Sequence, residues 1–256
     1  MKNIKFLVHF GLASFFIFIL TGCNQQKNND LWPIIDPLPL SIDIESQIDE
    51  MLPKLTLEQK VGQVIQGDSD SVTPEEVKEY RLGSVLSGGN SAPGPLPYAE
   101  TKNWLEMADK YYNASIDNEG VEIAIPIIWG IDAVHGHANL KGAIIFPHNI
   151  GLGAMNNPDL IEQIAGVTAH ELTISGHDWT FAPTLAVPKD LRWGRSYEGF
   201  SEDPDIVQSY GGRIVIGLQG KFGSDDFMSD GKVISSAKHF LADGATQNGA
   251  DQGDAL

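Results

Sequence analysis

A single cysteine, Cys23, in 256 residues leaves the rest of the chain without a disulfide or a thiol nucleophile, so stability has to come from packing. Cations are also scarce: 17 Lys and Arg stand against 34 acids, a net charge of -17. Binding to a phosphate backbone rests on a basic surface, so no nucleic acid is expected as a partner. No Gly-x-Gly-x-x-Gly follows the first predicted strand, which disfavours a dinucleotide fold. There is no Gly-x-Ser-x-Gly elbow for a serine hydrolase. His135, His137, His170, Glu171 and His177 do not reproduce the His-Glu-x-x-His spacing of a zinc helix, so no metal is expected. What remains is a chain that is 42% hydrophobic and long enough to bury a substantial core.

The amino terminus has the form of an export signal. Lys2 and Lys5 precede an apolar stretch from Phe6 to Leu20, too short for a membrane span. It ends in Leu20-Thr21-Gly22-Cys23, which resembles a bacterial lipobox, with lipidation expected at Cys23. Residues 1–22 are therefore expected to be a lipoprotein signal peptide and 23–41, rich in Asn, Gln and Pro, a flexible tether. The expected location is periplasmic or outer-membrane associated, with the lipid at Cys23 as the only membrane contact.

From residue 42 onward the pattern changes to alternating elements. Ile42–Leu52 has helical spacing and stops at Pro53. Thr56 and Gln59 predict a capping box at the head of a second helix, with Leu57, Val61, Val64 and Ile65 as its buried stripe. Thr73-Pro74-Glu75-Glu76 predicts another helix start by the same logic. Four strands are predicted, at Leu82–Leu86, Ile123–Ile131, Trp179–Val187 and Val233–Ala237, with helices at Tyr98–Asn113, from Asn157-Pro158 onward, and at Pro204–Gln219. Near-continuous apolar character in the second strand marks a parallel sheet covered on both faces. Strand and helix alternating four times predicts an α/β fold, either a (β/α) barrel or a doubly wound sheet.

Polar residues gather where these strands end. Gly130-Ile131-Asp132-Ala133-Val134-His135-Gly136 closes the second, Arg192-Trp193-Gly194-Arg195-Ser196-Tyr197-Glu198 follows the third, and Lys238-His239-Phe240 closes the fourth. Asp203-Pro204 then reads as an N-cap and first helical residue. Loops at the carboxyl ends of parallel strands share one face, so these clusters should converge. A carboxylate accepts hydrogen bonds from neighbouring hydroxyls while Arg and Lys donate to them, each charge-assisted bond contributing about 1.5–3 kcal/mol. That chemistry suits a sugar.

The same three motifs, together with Leu55-Thr56-Leu57-Glu58-Gln59-Lys60-Val61-Gly62-Gln63, resemble the N-terminal barrel domain of glycoside hydrolase family 3, in its β-glucosidase and glucan glucohydrolase branch. The likeness runs from about Ile44 to the last residue. It implies an incomplete TIM-type (β/α)8 barrel over residues 42–256, about the first half of the barrel. It also implies an exo-acting retaining β-glucosidase that releases glucose from β-glucans or β-glucosides in carbohydrate catabolism, with no cofactor. Asp132 would accept from sugar hydroxyls, with Arg195, Lys238 and His239 as donors.

In that family a retaining mechanism needs a nucleophile and an acid/base carboxylate roughly 5–5.5 Å apart. The resemblance places both beyond residue 256, an aspartate on a later strand and a glutamate in a second domain. The chain alone is therefore expected to be a fragment that binds without cleaving, and its open edges favour aggregation. Two alternatives accompany this reading. One is a β-N-acetylhexosaminidase of the same family, disfavoured because Phe240-Leu241-Ala242-Asp243-Gly244-Ala245-Thr246 holds no histidine. The other is a lipid-anchored sugar-binding protein without catalysis. Arg192 is expected to be structural, Glu198 and Glu202 to support Arg192 and Arg195, and Trp129 and Trp193 to be packing residues.

Overall fold

The computed structural model describes residues 40–89 and 91–255. The expected signal peptide over residues 1–22, Cys23 and nearly all of the expected tether lie outside the described residues. The chain divides into a unit up to Gln47 and a larger unit, Ile48–Leu256. Helix α1 (Ile42–Met51) runs across that boundary and gives way to a short 3-10 turn, Leu52–Lys54, where Pro53 removes a backbone donor. All the strands described belong to the larger unit.

Five strands form one parallel sheet in the order β1 (Gln66–Asp68), β2 (Ser84–Ser87), β3 (Ile128–Ile131), β4 (Trp179–Thr180) and β5 (Ile234–Ser235). Spatial order follows chain order throughout. A doubly wound sheet would reverse direction at a switch point, so the architecture is that of a partial (β/α) barrel. The crossovers are helical: α3 (Pro74–Tyr80) after β1, α4 (Thr101–Ile116) after β2, α5 (Asn149–Met155) and α6 (Pro158–Thr173) after β3, and α7 (Pro204–Gln219) after β4. Helix α2 (Leu57–Gln63) precedes β1.

The caps follow the local sequence. Thr56 and Gln59 form a reciprocal capping box on α2, as do Thr73 and Glu76 on α3, each satisfying two backbone donors that a helix start leaves free. Asn157 caps α6 and Asp203 caps α7, with Pro158 and Pro204 in their first turns.

Three expectations are corrected. The sheet has a fifth strand, Gln66–Asp68, where the sequence predicts none; it is three residues long and polar, and only Gly67 of it is buried. The stripe predicted for α2 is not buried: Leu57 is 72% exposed and Val61 49%. Periodicity reports which face is apolar, whereas burial needs a covering element, and none of the described residues covers this one. Only Trp179–Thr180 of the predicted third strand joins the ladder, since Pro183 has no backbone N–H to donate. The chain rejoins the sheet at a bridge between Thr184 and Lys238.

The core holds a cluster of aromatic and imidazole rings under β3. Trp104, Trp129, His137 and His177 are all buried, with ring centroids 4.8 Å apart for Trp129–His177 and 5.0 Å for Trp104–His177. The indole N–H of Trp104 donates to the Asn139 carbonyl at 3.0 Å, and that of Trp129 to Ser87 Oγ at 3.1 Å. Buried Trp thus finds partners for its one polar atom. The first contact anchors the loop that follows β3, and the second ties β3 to the last residue of β2. No helix among the described residues is long and apolar enough to cross a membrane.

Candidate functional site

The end of β3 delivers Asp132. Ile131 is the last ladder residue, and the next amide but one, Ala133 N–H, donates to Thr180 Oγ1 on β4 at 3.2 Å. Further along, His135 Nδ1 donates to the Phe146 carbonyl at 2.8 Å, and the Asn139 side-chain amide donates to the Gly89 and Pro97 carbonyls at 2.8 and 2.7 Å. The loop is therefore tied to its neighbour after β2 and to its own far end. Asp132 itself stays half exposed at the edge.

After β4 the chain reaches Arg195 and the 3-10 turn Ser196–Glu198. Arg195 donates from Nε to Glu198 Oε1 at 2.7 Å and from Nη2 to Oε2 at 2.8 Å. Such a two-point clamp fixes the guanidinium plane. Its hydrogen bonds hold the Glu198 carboxyl below the usual carboxylate range, with partial burial opposing. The turn is braced from below: the Asn149 side-chain amide donates to the Glu198 carbonyl at 2.7 Å, and Gly153 lies so close that an added Cβ would stand 1.7 Å from the Phe200 carbonyl oxygen.

The end of β5 supplies the third group. Lys238 N–H donates to the Pro183 carbonyl at 2.9 Å and Leu185 N–H to the Lys238 carbonyl at 2.8 Å, so the β4 and β5 extensions hold the Lys238 backbone between them. The Lys238 ammonium donates to Asp132 Oδ1. His239 has Nδ1 2.6 Å from Asp243 Oδ2 and Nε2 3.3 Å from Arg195 Nη2.

All four expected residues thus belong to one cluster on one edge. Asp132 pairs with Lys238, and Arg195 reaches His239 and Glu198 together. Two further members escape the sequence reading. Asp243 is visible there only as an acid four residues past His239, and nothing local shows that the loop doubles back. Asn149 is a buried polar residue whose partner is 49 residues away.

Neighbouring residues behave more plainly. Arg192 is held by Asp190 rather than by the glutamates, through Nη2 at 2.5 Å and Nε at 2.9 Å, and this pairing lowers the Asp190 carboxyl to about 2. Among the described residues Glu202 enters only through its backbone carbonyl, which accepts from Lys189 Nζ at 3.2 Å, so of the two expected supporting acids Glu198 is the one that serves there, and it serves Arg195. Trp193 is buried, with its indole N–H on Asp251 Oδ1 at 2.8 Å. Among the described residues no three His, Cys, Asp or Glu side chains are grouped to hold a metal ion.

A parallel partial barrel with a cluster of donors and acceptors at its carboxyl edge defines a protein of the (β/α)-barrel class. The chain belongs to glycosyl hydrolase family 3: residues 56–255 match the model of that family's N-terminal domain. It is 31% identical over 225 residues to a lysosomal beta glucosidase of Dictyostelium discoideum, covering 80% of this chain and 27% of that protein. A periplasmic beta-glucosidase of Salmonella typhimurium is 35% identical over 129 residues, 50% of this chain and 16% of the relative. Among solved structures, an exo-1,3/1,4-beta-glucanase from a Pseudoalteromonas species superposes with a TM-score of 0.81 at 48% identity, over 84% of this chain and 27% of that one. The chain spans about a quarter of the length of the first and the last of these.

Proposed function

We propose that this chain is the glucosyl-holding part of an exo-acting retaining β-glucosidase that releases glucose from β-glucans or β-glucosides. The observation that carries the reading is the pairing in the cluster. Lys238 with Asp132, and Arg195 with His239, each set a donor beside an acceptor. A hydroxyl group donates one hydrogen bond and accepts others, so each pair matches one alcohol. Two such pairs on one edge fit neighbouring hydroxyls of a pyranose.

The carboxylates present are suited to holding rather than cleaving. Glu198 is lowered by Arg195 and stays ionised near neutral pH, which unfits it as a general acid. Asp132 and Asp243 are each engaged by a cation or an imidazole. In this reading the nucleophile and the acid/base come from elsewhere in the enzyme, and the chain fixes the sugar against them.

Titration calorimetry of the full chain with glucose tests the binding role. D132A or K238A is expected to weaken glucose at least about 10-fold, the equivalent of losing one charge-assisted bond. N-acetylglucosamine should bind more weakly than glucose. Binding that survives both substitutions would remove the cluster from the sugar.

The export reading is proposed with it: an acylated Cys23 would hold the domain at a membrane surface by lipid alone. Cells expressing the chain should incorporate labelled fatty acid into it, and C23S should abolish the label; equal labelling of the variant would refute the anchor.

A further inference from the structure

Asp243 stands outside every motif that marks the sugar site, yet it makes the closest contact to one of the four binding residues. Its Oδ2 lies 2.6 Å from His239 Nδ1, and its Oδ1 accepts from the Gly244 N–H at 3.0 Å. The carboxylate is thereby tethered at both oxygens. On the other side of the ring, His239 Nε2 faces Arg195 Nη2 at 3.3 Å.

These two neighbours decide where the imidazole proton sits. A guanidinium has donors only, so the nitrogen it faces must be the one that carries a lone pair. An ionised carboxylate has acceptors only, so the nitrogen it faces must carry the hydrogen. The two demands agree. They require the proton on Nδ1 and leave Nε2 bare.

We propose that Asp243 is a positioning residue that holds His239 as the neutral Nδ1–H tautomer, so that Nε2 accepts a hydrogen bond from a substrate hydroxyl. The role differs from that of a donor, which the family resemblance implies for His239. A hydroxyl entering between Arg195 and His239 would accept from Nη2 and donate to Nε2, replacing the single long contact between the two side chains with two good ones. An imidazole with its proton on Nε2 would confront Arg195 with a second donor and leave that hydroxyl no acceptor. The hydroxyl step rests on the glucosyl reading above, whereas the tautomer rests on the two contacts alone.

The test is a proton–nitrogen long-range correlation spectrum of the full chain labelled with 15N-histidine, with His239 assigned by its loss in H239Q. The wild-type ring is expected to show a protonated Nδ1 and a bare Nε2. D243A should move it toward Nε2–H and weaken glucose about 10-fold, while D243E should restore the tautomer and most of the affinity. A wild-type Nε2–H or an imidazolium at about pH 7.5 overturns the proposal, as does a D243A ring with its proton still on Nδ1. The wild-type spectrum decides the tautomer even if D243A fails to fold. An Nδ1–H ring in a chain that binds no glucose would overturn the glucosyl reading and leave the tautomer intact.

Discussion

Acidification from pH 7 to pH 4 is expected to remove about 3 kcal/mol of stability through His137 alone, with a further loss through His177. The cause is a shared hydroxyl. Ser175 Oγ lies 2.8 Å from the Leu172 carbonyl, to which it donates, and 3.0 Å from both His137 Nε2 and His177 Nδ1. With its own proton engaged, the oxygen can only accept from the two rings. Their other nitrogens, His137 Nδ1 and His177 Nε2, are buried without a partner among the described residues.

A bare lone pair there is tolerable; an added N–H and its charge are not. Burial accordingly lowers His137 from 6.5 to about 4 and His177 well below its usual value, helped by its neighbour His137. The folded state takes up the proton less readily than the unfolded chain. The contribution of His137 is therefore complete above about pH 6.5 and is lost as pH falls toward 4, where the full shift amounts to about 3 kcal/mol. Urea midpoints across this range measure it. H137F should flatten the dependence by about that amount, and an unchanged slope in the variant would exclude the assignment.

The second large effect concerns a single carbon. Gly153→Ala is expected to destabilise the chain by ~3 kcal/mol and to weaken glucose about 10-fold or more, since overpacking against backbone cannot be relieved by a side-chain rotation. The new Cβ would meet the Phe200 carbonyl. Helix α5 would have to lift, and with it would go the Asn149 support of Glu198 and the Tyr210 hydroxyl bond to the Leu152 carbonyl at 2.9 Å. Gly212→Ala is the control. A Cβ there meets nothing within 4 Å, so that helical substitution should be neutral or stabilising by up to ~1 kcal/mol. Thermal unfolding and calorimetry of both variants compare the two; equal behaviour would mean that α5 does not brace the site.

The glycines of α5 also show why the fold was only partly legible in the sequence. Gly151 and Gly153 lower helix propensity enough that no helix is predicted over Asn149–Met155, although close approach to Phe200 is the reason for Gly153. The caps at Thr56, Thr73, Asn157 and Asp203 were legible because a cap is settled within about four consecutive residues. Strand β1 was not, because Gln66-Gly67-Asp68 owes its extended form to β2 beside it and carries no pattern of its own.

The candidate site divides along the same line. Asp132, Lys238 and His239 stand in motifs at strand ends and Arg195 in a motif beside a 3-10 turn, where one short stretch sets both chemistry and local position. Asp243 and Asn149 act through loops that fold back, and their partners are chosen by distances no local pattern records.

The bond between Lys238 and Asp132 closes a span of 106 residues. One end is set by β3 and the other by β5, an outer strand that pairs with β4 alone among the described strands. Contacts of such long sequence separation meet their loop-closure entropy late in folding. On the proposed glucosyl reading, affinity for a sugar is therefore among the last properties the chain acquires, after its helices have formed. A bound sugar, joining both ends of that span, would act as a reversible clasp on the sheet.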